Sequence, residues 1–207
     1  MTSTLETPPR QPRTRLQFWT LVAVFFAPLA LAFLLYYGLD GWRPPGQTNK
    51  GELIEPPRPL PAVALTSSDG ATLDADLLRG KWTLVYVGGG TCDARCREAL
   101  VLTRQTRLAL NDDMKRVQRM FIATGECCDR AWLDAEQPGL IVALGDTAPA
   151  REVLAEFPVY DGVPVAQAGR IYIVDPLGNL MMSYAPDAPD KGLLEDLKKL
   201  LKLSHIG

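Results

Sequence analysis

The stretch Trp82-Thr83-Leu84-Val85-Tyr86-Val87-Gly88-Gly89-Gly90-Thr91-Cys92-Asp93-Ala94-Arg95-Cys96 decides how this chain folds. Its first six residues are aromatic, aliphatic or β-branched. Gly80 precedes them and a triple glycine follows, so they read as a buried strand. Arg97 to Asn111 then contains strong helix formers with neither Gly nor Pro, which predicts a helix. Two cysteines thus stand at a strand-to-helix junction.

Working outward, Val117 to Thr124 predicts a second strand. Strand, helix and strand in so short a span make a right-handed crossover between parallel strands. Leu140 to Leu144 predicts a short strand. A helix from Thr147 to Phe157 follows, with Asp146 or Thr147 as its cap and Pro149 in its first turn. Ile171 to Val174, a Pro176-Leu177-Gly178-Asn179 turn and Leu180 to Tyr184 read as a hairpin. The last helix places Leu193, Leu194, Leu197, Leu200 and Leu201 on one face, with Lys198, Lys199 and Lys202 toward its end. On the N-terminal side, Ala62 to Thr66 is a short apolar run closed by Asp69-Gly70, and Ala71 to Arg79 reads as a turn or short helix. A parallel crossover, a hairpin and a covering helix are the α/β thioredoxin arrangement.

Cys92 and Cys96 lie where a helix N-terminus supplies about half a positive charge and free N–H groups, which favours thiolate over thiol. Arg95 and Arg97 add to that field; Asp93 and Glu98 oppose it. Three intervening residues let both sulfurs share one side of the first helical turn. There they can close a disulfide or hold a soft ion such as Cu(I). Composition narrows the choices further. The 207 residues contain a single histidine, His205, and four cysteines. Multi-histidine metal sites are excluded, and His205 near the chain end is a poor preorganised base. A formal net charge of −2 offers no general attraction to nucleic acid.

Leu16 to Leu39 carries no charge and is long enough to cross ~30 Å of hydrocarbon. Trp19 stands at one end and Tyr36, Tyr37 and Trp42 at the other, as interfacial aromatic belts do. Arg10, Arg13 and Arg15 against Glu6 alone put the N-terminus in the cytoplasm and the rest across the membrane. Gly38-Leu39-Asp40-Gly41-Trp42 is not an Ala-x-Ala cleavage site, so the segment reads as an uncleaved anchor. Pro8, Pro9 and Pro12 break any mitochondrial presequence helix, which favours a bacterial inner membrane with a periplasmic domain. The organisation expected is a cytoplasmic tail over 1–16, a transmembrane helix over 17–37, a Pro-rich linker over 38–60 and a thioredoxin-like domain over 61–207.

Leu65-Thr66-Ser67-Ser68-Asp69-Gly70, Leu78-Arg79-Gly80-Lys81-Trp82-Thr83-Leu84-Val85-Tyr86-Val87-Gly88, the CxxxC, and Ile171-Tyr172-Ile173-Val174-Asp175-Pro176-Leu177-Gly178 resemble the Sco/SenC family. The resemblance spans roughly Pro61 to Lys202. It implies a membrane-anchored, thioredoxin-fold assembly factor for cytochrome c oxidase. Such a protein delivers copper to the oxidase's dinuclear copper site, or reduces the disulfide there. The resemblance also implies copper bound by two cysteines, matched by Cys92 and Cys96, and one histidine. Arg97 stands where that family has proline after the second cysteine, and Gln167 stands at the histidine position. A neutral amide oxygen is a poor replacement for imidazole toward Cu(I), which shifts weight toward thiol–disulfide chemistry. Two other readings follow from the residues alone. One is a general periplasmic thiol–disulfide oxidoreductase without copper; the other is a non-catalytic assembly scaffold.

Gly125-Glu126-Cys127-Cys128-Asp129 follows the second strand, whose carboxyl end belongs on the same sheet edge as the CxxxC. Cys127 and Cys128 could join a three- or four-sulfur copper site, form a second redox pair, or make a structural bridge. Weaker signals complete the chain. Gly88-Gly89-Gly90 lacks a following Gly-Lys-Ser/Thr and is no phosphate loop. Val163-Pro164 has the position of a cis-proline facing the cysteines, with an ordinary turn proline as the alternative. Met181 and Met182 could attract copper, but in an apolar hairpin strand they read as core.

Overall fold

The computed structural model describes residues 13–38, 48–189, 191–204 and 206. The chain divides into two units, Met1–Gly46 and Gln47–Gly207. In the first, the helix α1 spans Arg13–Gly38 and contains Pro28. Within it Arg15–Leu35 is long and apolar enough to cross a membrane. Phe18, Trp19, Leu21, Phe25 and Leu34 on this helix are all more than half exposed.

In the second unit the elements follow in order: β1 (Glu52–Pro59), β2 (Trp82–Gly89), α2 (Ala94–Leu108), β3 (Val117–Thr124), α3 (Arg130–Glu136), β4 (Leu140–Leu144), α4 (Ala148–Ala155), β5 (Ile171–Val174), β6 (Asn179–Tyr184) and α5 (Gly192–Leu203). The strands form one mixed sheet in the order β1-β6-β5-β2-β3-β4. β2, β3 and β4 run parallel, as the crossover predicts. β5 lies antiparallel to β2 and pairs with β6 as the hairpin.

Alternation along the central strands divides the core between two faces. Leu84, Tyr86, Phe121, Ile171 and Ile173 point to one side, where Leu100 of α2 and Leu193, Leu197 and Leu201 of α5 cover them. Val85, Val87, Met120, Ile122 and Tyr172 point to the other, against Ala150 and Val153 of α4 and Leu65 and Leu78. Each fully buried large side chain contributes roughly 1.5–3 kcal/mol, so the central strands carry most of the driving force. Arg119 is 2% exposed. It donates to the Gln137 side chain at 2.7 Å and to the Pro138 carbonyl at 2.9 Å. Burial lowers its pKa to about 10.

Several expectations need correction. Residues 52–59, expected inside the linker, form the edge strand β1, paired antiparallel with β6. Pro56, Pro57 and Pro59 are tolerated because an edge strand leaves one row of N–H positions unpaired, and the register shifts between Leu53 and Arg58. Ile54 and Leu60 are buried there, at 6% and 2% exposure. The start of this segment is held by Asp196 of α5, whose Oδ2 accepts from the Gly51 N–H at 2.9 Å and the Tyr184 hydroxyl at 3.0 Å. Ala62 to Thr66 makes no strand of its own; Thr66 and Ser67 take part only in isolated bridges to Thr72 and Ala143. The helix predicted over Arg97 to Asn111 begins three residues earlier, inside the CxxxC, because Asp93 caps it. Val163–Pro164 is trans. Trp42 and His205 lie outside the described residues, as does the side chain of Tyr36.

Candidate functional site

Cys92 and Cys96 form a disulfide with Cα atoms 5.1 Å apart. The strand β2 delivers the chain to this point, and the Cys92 N–H donates to the Gly89 carbonyl at 3.0 Å. Cys92 adopts φ +47°, a left-handed conformation uncommon for a residue with a Cβ and of the kind that gathers at functional sites. Asp93 then caps α2, its Oδ1 accepting the Cys96 N–H at 2.9 Å. One sulfur thus precedes the helix cap and the other sits in the first turn, beside the positive end of the helix dipole. Both are almost fully buried, at 3% and 2% exposure.

Arg97 is the residue that ties this loop down. Its Nε donates to the Cys92 carbonyl at 3.2 Å, and its Nη2 reaches Asp129 Oδ2 at 3.2 Å. The guanidinium lies 4.8 Å from the centre of the Trp132 ring. A proline here would lack all three contacts. Tyr86, on the β2 face below, is held protonated: burial first, and the Asp93 charge second, raise its pKa to about 12.

Gln167 sits in a short 3-10 turn, Val165–Gln167. It lines a cavity of about 230 Å³ together with Cys96, Tyr86, Asp93 and Arg95. Gln167, the position inferred for the family histidine, thus lines one cavity with Cys96 and carries an amide in place of imidazole. Arg95 and Gly169 also line a neighbouring groove of about 320 Å³, floored by Ala99, Ile171, Tyr184 and Leu193. Gly169 has φ +63°, and a Cβ there would press on the Arg95 side chain at 2.7 Å.

Cys127 and Cys128 are bonded to each other. They pack against the apolar cluster that holds Cys92 and Cys96, and with Thr91, Glu126 and Asp129 they line a cleft of about 360 Å³. The two loops meet closely: the Gly90 N–H donates to the Thr124 carbonyl at 2.7 Å. A Cβ on Gly90 would collide with the Glu126 carbonyl and lie 2.8 Å from the Cys127 Cα. Among the described residues, no three His, Cys, Asp or Glu side chains converge as a metal-holding group. Met182 is core, 2% exposed, and Met181 packs against the same cluster. Sequence reasoning missed α3 and the Arg97–Asp129–Trp132 contacts. The Asp129-Arg130-Ala131-Trp132-Leu133 run, a cap before a helical turn, is the signal that was present.

A parallel crossover, a terminal hairpin, a covering helix and a cysteine pair at the β2–α2 junction together define a thioredoxin-like protein with a CxxxC. The chain belongs to the family of transmembrane-like, thioredoxin-like C-terminal domains, which its residues 82–204 match. The resemblance to Sco/SenC proteins is met in structure. Copper-bound ScoI of Bradyrhizobium japonicum is 22% identical over 69% of this chain and 98% of that one, with a TM-score of 0.53. Apo Sco1 of Thermus thermophilus is 20% identical over 75% of this chain and 99% of that one, with a TM-score of 0.60. The thioredoxin domain of a Bacteroides vulgatus thiol-disulfide oxidoreductase is 20% identical over 69% and 95%, with a TM-score of 0.51. At these identities the likeness is one of fold. No curated protein matches the chain.

Proposed function

We propose that this protein is a membrane-anchored assembly factor for cytochrome c oxidase. In this reading Cys92 and Cys96 cycle between disulfide and dithiol, reducing the disulfide of the oxidase's copper-site subunit, with Cu(I) as a cargo the dithiol can carry. The observation that carries the reading is the buried cysteine pair at the N-terminus of α2, facing Gln167 across one cavity. The helix end and Arg97 favour the thiolate that attacks a client disulfide. The fold is shared with the copper-bound ScoI and with a thiol-disulfide oxidoreductase domain, which supports both halves of the reading.

As a site for copper, the donor set fits in part. Two thiolates suit soft Cu(I), whereas the Gln167 side chain offers an amide oxygen, a hard donor that holds Cu(I) poorly. Copper therefore rests on the two sulfurs alone, and thiol–disulfide exchange is the stronger activity. That same glutamine favours a second reading, a general thiol–disulfide oxidoreductase without copper. The anchor is α1, with the N-terminus in the cytoplasm and the domain in the periplasm of a bacterial inner membrane. Partners are the copper-site subunit, or other proteins that handle copper and thiols.

Anaerobic Cu(I) titration of the fully reduced protein against a dithiol competitor separates the two readings. One Cu(I) per protein, held more tightly than by the competitor, supports copper handling. Binding no tighter than the competitor's removes copper and leaves the oxidoreductase.

A further inference from the structure

The two disulfides differ in their access to solvent. Cys92 and Cys96 are 3% and 2% exposed, whereas Cys127 and Cys128 are half-buried and line an open cleft with Thr91. Cys96 opens only onto the cavity beside Gln167, whereas Cys127 and Cys128 open onto the other cleft, so a client and a reductant have different openings to dock at. The two loops are also held together. Gly90 leaves no room between the CxxxC approach and the Glu126–Cys127 backbone. Arg97 links the Cys92 carbonyl to Asp129, the residue next to Cys128. All four cysteines border one apolar cluster, where water is excluded from an exchange between sulfurs.

We propose that Cys127 and Cys128 form a second redox site that passes electrons from an external protein dithiol to the buried Cys92–Cys96 disulfide. This rests on the redox reading of Cys92 and Cys96 given above. In the first exchange a thiolate of the donor attacks the Cys127–Cys128 bond. The donor leaves as a disulfide, and Cys127 and Cys128 become thiols. In the second, one thiolate of that pair attacks Cys92 Sγ, and the bond to Cys96 breaks. Cys96 departs as thiolate and takes up a proton, leaving a mixed disulfide to Cys92. The other sulfur of the adjacent pair then displaces Cys92, restoring the Cys127–Cys128 bond and releasing the second thiol. Two electrons and two protons have moved from the donor to Cys92 and Cys96, and no other oxidant or reductant is consumed.

The test uses the full chain in detergent micelles with reduced thioredoxin as the donor protein. Maleimide labelling and peptide mass spectrometry follow the redox state of Cys92–Cys96. In the Cys127→Ser plus Cys128→Ser protein, reduction of Cys92–Cys96 slows by roughly tenfold or more, because the donor is left with only the cavity beside Gln167, the client's opening, through which to attack. A second measurement does not depend on rates. Cys96→Ser plus Cys128→Ser, and separately Cys96→Ser plus Cys127→Ser, are oxidised mildly; a bond from Cys92 to the remaining neighbour in at least one variant is expected. An unchanged reduction rate, or no such bond in either variant, overturns the relay while Cys92–Cys96 keeps its redox role. If the unmodified protein's Cys92–Cys96 bond is not reduced at all, the redox reading falls and the relay falls with it.

Discussion

The two cysteine pairs share a sheet edge yet have opposite settings. Cys92 and Cys96 bracket a helix cap and are almost fully buried, and Cys96 lines a cavity with the β2 strand end, the α2 first turn and the 3-10 turn at Gln167. Cys127 and Cys128 are neighbours in a loop ahead of the seven-residue helix α3, half-buried beside an open cleft. Only the first pair has a full-length helix dipole behind it, a capping carboxylate within it and an arginine on its backbone. Position on the thioredoxin frame, more than sulfur count, is what distinguishes the two pairs.

That contrast breaks most decisively by exchanging serine for each pair in turn. Cys92→Ser plus Cys96→Ser is expected to abolish Cu(I) binding and client reduction. Cys127→Ser plus Cys128→Ser is expected to leave the Cu(I) stoichiometry intact, because the proposed cargo rests on Cys92 and Cys96 alone. Calorimetric titration of both variants checks this; copper lost with the second pair would contradict it. The next largest effect is expected at Gly90, where the loops touch. Gly90→Val forces side-chain atoms against the Glu126 backbone, and a loss of about 3 kcal/mol is expected, read as a lower midpoint in urea unfolding. A wild-type midpoint would show that the loops part easily.

Smaller changes sharpen the comparison. Gln167→His places an imidazole in the cavity with Cys96, and Cu(I) affinity should rise by about tenfold, or ~1.4 kcal/mol. An unchanged competition curve would show that residue 167 does not reach the copper. Asp93→Ala removes the α2 cap and is expected to cost about 1 kcal/mol in thermal stability. The corresponding cap at Asp129, on a far shorter helix, should matter less when replaced in the same way. Equal losses at the two caps would erase the distinction between the helices.

Much of the fold is legible in the sequence. The β3 and β4 bounds agree with the strands predicted over Val117 to Thr124 and Leu140 to Leu144, since buried parallel strands appear as short uninterrupted apolar runs. Thr147 and Pro149 announced α4 through the chemistry of a helix start. The strand β1 was hidden because three prolines argue against a strand unless it lies on an edge, and edge position is a tertiary fact. At the site, Cys92 and Cys96 could be placed by their spacing from strands, and Gln167 only through the resemblance to the Sco/SenC family. The bond between Cys127 and Cys128, and the bridge from Arg97 to Asp129, depend on how two loops meet. No local pattern encodes that meeting; only the bare Gly90 hinted at it.

The central claim is that Cys92 and Cys96 are a redox-active pair with a stabilised thiolate. It is tested most directly by mixing the reduced full-length protein with an oxidised peptide carrying the two cysteines of a dinuclear copper site, then mapping the products by mass spectrometry. A reduced peptide and a new Cys92–Cys96 disulfide are expected, with reaction persisting at neutral pH and lost in Cys92→Ser plus Cys96→Ser. A peptide that stays oxidised while Cys92 and Cys96 remain thiols would contradict it.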